Sequence, residues 1–410
     1  MKILHISTGF PLSFQGGITN YVRQLAEIQY NKGYDVYVLG DTDTHNYPFH
    51  YINLKPNSMK AFTLGKIVNH KGLNQLQQII DAEHFDIIHI HMMLNLDWNI
   101  YKILKNKNYV ISLHDYYYIC PRIKMFINDQ VCIKYDKHRC ENCISMLDTY
   151  NLLRKSREYV NIKFKKNIRY PRMKQKITDI RFGKFKELLE NASILLPVSN
   201  RVKQIYETSN FRNNYRVVHI GNISADKYKK YIPTIKNRQK INIAAIGTLT
   251  KEKGGDILLK ILSQVNNDNV EFHFYGGADT YYLPRCEKHG MIYHGRYNQN
   301  DLEKLLADVD LGMVLSVWED NGPQVVMELL NYNVPVLGTK MGGIPDFVNF
   351  DNGYIFNPYS DNEINEMINY LNNLSWSEIE RMKLNIHRTT NFNEHFQELD
   401  SIYNTILMNE

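Results

Sequence analysis

Residues 318–348 read WEDNGPQVVMELLNYNVPVLGTKMGGIPDFV. Acids stand at Glu319, Asp320 and Glu328. A Gly322-Pro323 turn precedes a short apolar helix, and the run PVLGT (335–339) leads into the pair Gly342-Gly343. Just upstream, LGMVLS (311–316) is another apolar run of strand length. Strand, helix and strand within about 30 residues is the size of one βαβ unit. Continuous apolar runs without polar alternation point to parallel strands covered on both faces.

The same alternation extends in both directions. Upstream runs are KILHIS (2–7), DVYVLG (35–40), DIIHIH (86–91), YVISLH (109–114) and ILLPVS (194–199); INIAAIG (241–247) and VEFHFYG (270–276) follow. A helix is expected from Asn20 to Lys32, ended by Gly33. Two series of βαβ units imply an α/β protein with two doubly wound, Rossmann-like domains facing a cleft. The polar stretch Tyr228–Lys240 with Pro233 reads as the linker. The expected domains are therefore 1–227 and 228–392, with a C-terminal helix over 393–410 that packs back on the first domain.

With 410 residues, 43% hydrophobic and 22% charged, the chain can build sizeable cores. No apolar run reaches the ~18 residues of a membrane-spanning helix, and the N-terminus enters a strand directly, so a cytoplasmic location is expected. The net charge of +6 is uneven: 154–187 holds 13 Lys/Arg against 3 Asp/Glu, a local +10, which leaves −4 elsewhere. Tyr159, Phe164, Tyr170, Phe182 and Phe185 interleave with those cations. Such a segment fits a solvated helical face, an anionic lipid surface or RNA.

Chemistry-bearing residues collect in loops after strands. Gly16-Gly17 opens a helix after the first strand, where free amides and the helix dipole favour an anion. The loop does not follow the GxGxxG spacing of nicotinamide binders. In GTLTKEKGGD (247–256), Lys251 and Lys253 stand beside Gly254-Gly255 at a helix start, which suits a diphosphate. Asp320 and Glu328 bracket a third helix start, at which Asn321 is the expected cap; carboxylates there accept from sugar hydroxyls, and free amides suit a phosphate.

An acid, seven residues and a glutamate, followed by a strand and GGIPD, resembles the motif of retaining GT-B-fold glycosyltransferases of family 4. Here it runs from Asp320 to Glu328 and then from Gly342 to Asp346. Gly16-Gly17, Lys253-Gly254 and His114-Asp115 fall where that family has them, so the resemblance covers nearly the whole chain. It implies that Glu328 holds a nucleotide ribose, that Asp320 with the amides after Gly322 and Pro323 touches the donor sugar, and that Lys253 neutralises the leaving diphosphate. It also places Gly16 and Gly17 by the diphosphate and acceptor, and His114 against the transferred sugar. Where the family often has an arginine, this chain has Thr248, and Lys251 or Arg296 is expected in its place. The resemblance implies front-face transfer with no catalytic metal. Asp41-Thr42-Asp43 is the one DxD-like string, which would be a metal–diphosphate clamp in another glycosyltransferase class.

Cys120, Cys132, Cys140 and Cys143 cluster and end in CENC, while Cys286 stands apart. They are read either as a structural zinc site or as reduced, unconnected thiols. The implied partners are a dTDP-, UDP- or GDP-sugar, a polyprenyl-diphosphate-linked saccharide and the inner membrane surface through 154–187; nucleic acid is not expected. The opening residues further resemble bacterial capsule and exopolysaccharide enzymes, among them rhamnosyltransferases that extend a glucose-diphospholipid. Two alternatives stay open: a sugar-nucleotide epimerase of the same architecture, and a non-catalytic nucleotide-sugar-binding subunit.

Overall fold

The computed structural model describes residues 1–7, 16–40, 46–54, 70–93, 96–127, 129–146, 171–233 and 239–409. Asp41-Thr42-Asp43 and the part 154–170 of the basic segment lie outside these residues. Two compact units are present. The first comprises Met1–Val198, Val202–Val218 and Phe396–Glu410; the second comprises Ser199–Arg201 and His219–His395.

In the first unit the strands are β1 (Lys2–Ser7), β2 (Asp35–Gly40), β3 (His50–Asn53), β4 (Ile87–Met92), β5 (Tyr109–Leu113), a short antiparallel hairpin of β6 (Phe126–Ile127) with β7 (Gln130–Val131), and β8 (Ile194–Pro197). Leaving the hairpin aside, they form a parallel sheet in the order β3-β2-β1-β4-β5-β8. The second unit contains β9 (Ile241–Leu249), β10 (Val270–Ala278), β11 (Ile292–Tyr293), β12 (Leu311–Val314), β13 (Val336–Thr339) and β14 (Gly353–Phe356). Its parallel order is β11-β10-β9-β12-β13-β14. Counted within each sheet, both run 3-2-1-4-5-6, the order of a doubly wound fold.

Burial explains why the apolar runs became parallel strands. Every residue of β4 and β5 is buried. In the second unit Ile243 and Leu337 belong to one apolar cluster, and their neighbours Ala244 and Val336 to another. Successive residues on a strand point to opposite faces, so each sheet face carries its own core. Of the strands that the sequence did not reveal, β3, β11 and β14 are sheet edges, and β6 and β7 form the separate hairpin. Edge strands need no continuous apolar run, and HYIN of β3 has no buried residue.

The first helix, Gly17–Asn31, starts three residues before the expected Asn20. The Thr19 hydroxyl accepts from the Gly16 amide at 3.1 Å and donates to the Gly16 carbonyl at 3.0 Å, closing the first turn. Gly33 ends it with φ +85°, a left-handed conformation that favours glycine. In the C-terminal helix Phe392–Met408, the buried Tyr403 hydroxyl bonds His89 Nδ1 at 2.6 Å within the first unit.

Candidate functional site

In a doubly wound sheet the chain leaves strands 1 and 4 in opposite directions, so the loops after them open a crevice. In the second unit these strands are β9 and β12, which are direct neighbours. The loop after β9 carries Lys253 and the loop after β12 carries Asp320; Lys253 Nζ meets Asp320 Oδ2 at 2.6 Å. Ser316 Oγ donates to the same oxygen at 3.2 Å, and the Lys253 ammonium lies 5.3 Å from the centroid of the Trp318 ring. The backbone joins the loops as well, with the Val317 amide donating to the Glu252 carbonyl at 2.9 Å.

Gly254 permits this approach. It caps helix Gly255–Gln264 at φ +85°, and a Cβ there would stand 2.0 Å from the Leu315 carbonyl oxygen. A Cβ on Gly17 would meet nothing within 4 Å. Gly254→Ala is therefore expected to lower the thermal midpoint strongly and Gly17→Ala scarcely at all. Equal midpoints for the two variants in a melting curve would refute this account of Gly254.

The glycine pair of the opening stretch has a packing role. Gly342, at φ +55°, lies so close to Asp320 that a Cβ would fall 1.9 Å from its carbonyl oxygen, and the Gly343 amide donates to that oxygen at 2.7 Å. Glu319 is 1% exposed and accepts from the Gly342 amide at 2.9 Å. Arg201 clasps the same carboxylate through Nε at 3.0 and 3.1 Å and Nη2 at 2.5 Å. Asp346 accepts from the Asn200 amide at 2.8 Å and pairs with His219 at 2.9 Å. Two of the acids in this stretch thus hold loops in place. Nothing in the local sequence separates Glu319 from Asp320, because the difference lies in a partner 118 residues away.

Asn321 is not the cap of helix Gln324–Asn331; Pro323 stands at that position. The Asn321 Oδ1 atom and the Trp318 indole nitrogen are buried without a hydrogen-bond partner, beside Gly322 and the helix start. Orphaned polar atoms of this kind are expensive unless a ligand or water meets them.

A cavity of about 520 Å³ opens at the C-terminal ends of β9 and β10. Its lining includes Thr248, Thr250, Gly277, Asp279, Arg296 and Tyr297. Arg296 therefore shares a wall with Thr248, where the resemblance expects an arginine, whereas Lys251 is exposed and is not part of the lining. Burial, and then the charge of Glu328, push the Tyr297 hydroxyl up to about 12; Glu328 itself is half-buried and is not part of the lining.

In the first unit Gly16 and Gly17 lie at the start of the first helix, and His114 follows β5 with 8% exposure. His114 ends a buried chain. Gln29 Oε1 lies 2.5 Å from His5 Nε2, His5 Nδ1 2.9 Å from His91 Nε2, and His91 Nδ1 3.2 Å from His114 Nε2. With the amide oxygen as acceptor, each Nε2 donates in turn, and His114 keeps its proton on Nε2. His89 bonds Tyr403 through Nδ1 and Ser112 through Nε2 at 2.8 Å. The ligand atoms of His5, His89 and His91 lie within 4.8 Å of one another, yet both nitrogens of each ring are already hydrogen bonded. That favours a neutral imidazole network over a metal site.

Burial lowers the pKa of His5 to about 4, and that of His395 likewise to about 4. The unfolded chain protonates both near pH 6.5, before the folded chain does. Stability therefore falls as pH drops from about 6.5 to about 4, by up to ~1.4 kcal/mol per pH unit for each imidazole. Asp115 works in the opposite sense, since burial pushes its carboxyl up to about 6. Urea unfolding should show a lower midpoint near pH 5 than above pH 7, and a steeper loss in Asp115→Asn. A midpoint that does not move would mean that both imidazoles are solvated.

The four clustered cysteines all line one small cavity of the first unit, and Cys286 is buried in the core of the second.

The family described as Glycosyltransferase Family 4 matches residues 15–221, and that described as Glycosyl transferases group 1 matches residues 226–387. An uncharacterised 41.2 kDa protein of the cps region of Klebsiella pneumoniae is 24% identical over 149 residues, covering 36% of this chain and 39% of that protein. The match thus spans well under half of that relative's length. A glycosyltransferase from Rickettsia africae superposes with a TM-score of 0.64 at 15% identity, covering 100% of this chain and 99% of that one. HepE from Anabaena, solved with UDP and glucose, gives a TM-score of 0.61 at 15% identity over 99% of this chain and 100% of that one. At such identities the two structures bear on the fold, which is that of GT-B proteins.

Proposed function

The chain belongs to glycosyltransferase family 4, and from that membership we propose that it is a retaining transferase, moving a hexosyl group from a nucleoside-diphosphate sugar to a saccharide. The observation that carries the reading is the Lys253–Asp320 contact at the switch point of the second unit, in the loop after β9, whose C-terminal end also lines a cavity of about 520 Å³. That volume suits a nucleoside. Glu328 accepts from the ribose hydroxyls. Lys253, Arg296 and the amide end of helix Gln324–Asn331 meet the diphosphate. Asp320 and Asn321 accept from the sugar hydroxyls, which supplies Asn321 Oδ1 with a partner. His114 and the Gly16-Gly17 turn belong to the acceptor side of the reaction.

In this mechanism the bond from the sugar's anomeric carbon to the diphosphate breaks, and the new glycosidic bond forms on the same face. The acceptor's proton passes to an oxygen of the departing diphosphate. Protein groups stabilise that leaving charge. The cations and amides present suffice for this role, so the reaction as proposed needs no metal.

The acceptor is a polyprenyl-diphosphate-linked saccharide in capsule or exopolysaccharide synthesis, with rhamnose transfer from dTDP-rhamnose to a glucose-diphospholipid as the specific form. The cps-region relative supports the setting. In the sequence, the basic, aromatic stretch 154–170 supports a site on the inner face of the membrane, whereas Arg181 and Phe185 of the expected surface are buried in the first unit; no helix among the described residues is long and apolar enough to cross a membrane.

Thermal shifts with UDP, dTDP, GDP and ADP test the donor half. A ligand at ~100 times its dissociation constant stabilises by about 2.7 kcal/mol. One diphosphate should raise the midpoint clearly, and Glu328→Ala should abolish that rise. UDP comes first, because HepE was solved with it. No shift with any diphosphate or its sugars would sink the reading. Binding without transfer to any lipid-linked saccharide would select the non-catalytic alternative.

A further inference from the structure

The transfer reaction leaves the four clustered cysteines unused, yet the fold gathers them from three places. Cys120 closes the turn after β5, Cys132 follows β7, and Cys140 and Cys143 lie one helical turn apart on helix Lys137–Met146. All four face a cavity of about 20 Å³, with Lys134 and Arg139 also in its wall. That is room for a single small occupant. We propose that this cavity is a structural zinc site whose four ligands are Cys120, Cys132, Cys140 and Cys143.

Four soft sulfur donors converge on this one cavity, the donor set that suits zinc. Zinc with four thiolates carries a net charge of −2, which a half-buried site must offset. Lys134 and Arg139, both in the cavity wall, are placed to do so. All the cysteines are free of disulfides, and four soft donors with no open position describe a structural rather than a catalytic zinc.

The local backbone supplies an independent argument. Ile123, Met125 and Asp129 take φ values of +68°, +47° and +60°, a left-handed region unfavourable for side-chain-bearing residues and most of all for a β-branched one. The hairpin they frame has two residues per strand, and an isolated hairpin of that size is marginal at best. Zinc–sulfur bonds would supply the cohesion. The thiols are not gathered within 4.8 Å of one another as His5, His89 and His91 are. Binding contracts the ring of sulfurs, each thiol losing its proton to solvent as the ion enters. Because Cys120 lies six residues after His114, the site tethers the loop that carries His114.

The test uses the full chain purified without chelator. Elemental analysis should find about one zinc per chain, and stripping it should lower the thermal midpoint, with recovery on adding zinc back. Cobalt added to the stripped protein should give the absorption of a tetrahedral tetrathiolate. Cys140→Ser with Cys143→Ser should abolish metal retention; because that variant risks misfolding, the strip-and-restore cycle on the unaltered chain decides. Purified protein without zinc whose stripped form shows no cobalt–thiolate absorption overturns the proposal. Iron in place of zinc, or Cys140 and Cys143 joined in a disulfide, does the same.

Discussion

Lys253→Ala is expected to lower kcat by about 10²- to 10³-fold, the usual consequence of removing one preorganised group that stabilises transition-state charge. The reason is positional. Lys253 Nζ stands at the switch point between β9 and β12, held 2.6 Å from Asp320 Oδ2. Charge on a departing diphosphate develops as the glycosidic bond breaks, so a cation placed there contributes most in the transition state and appears in kcat rather than in KM. The side chain is 42% exposed, so its loss should leave the melting curve almost unchanged. Asp320→Asn separates the two roles. If Asp320 only positions the lysine, the double variant should be no slower than Lys253→Ala alone; if it also accepts from the sugar, the double variant should be slower. A single lysine variant within roughly threefold of the natural rate would remove Lys253 from the site.

Glu319→Ala should cost stability instead, by about 3 kcal/mol, as expected when one partner of a buried ion pair is removed. Glu319 is 1% exposed, accepts from Arg201 and also satisfies the Gly342 amide. Alanine leaves that amide buried without an acceptor. It also leaves Arg201 unpaired, although the arginine is 31% exposed and water recovers part of the loss. Urea unfolding gives the value directly. A companion Arg201→Met variant completes a double-mutant cycle, in which the losses should fall short of additive by a kcal/mol or more. A loss below about 1 kcal/mol for Glu319→Ala would mean that the loop is held mainly by the Asp320–Gly343 backbone contact. Set beside the Lys253 variant, the outcome distinguishes two neighbouring acids, one paired with the exposed Lys253 and one holding the loop in place.

Much of the architecture was legible because it depends on properties that single residues carry. Apolar runs such as LGMVL (311–315) and VPVLG (334–338) carry no polar residue on either face, which suits a sheet covered on both sides. Their alternation with amphipathic stretches dictates crossover helices and parallel order. Glycines before helix starts marked the loops, so Gly16, Gly254 and Gly342 were found from sequence. The short edges β3 and β11 were not, because neither has a buried residue, and β14 was not although three of its four residues are buried.

Tertiary structure decided what depends on partners far apart in the chain. Whether an acid meets a lysine or an arginine is not written in the acid, so Glu319 and Asp320 became distinct only once Arg201 and Lys253 were in place. The His5–His91–His114 chain forms because β1, β4 and β5 bring three separated histidines onto one side of a sheet. Four cysteines spread over a loop, a hairpin and a helix share one cavity for the same reason. Residue type and period determine which elements form; charge pairing, proton position and ligand convergence arise from distances between elements, which only the assembled fold sets.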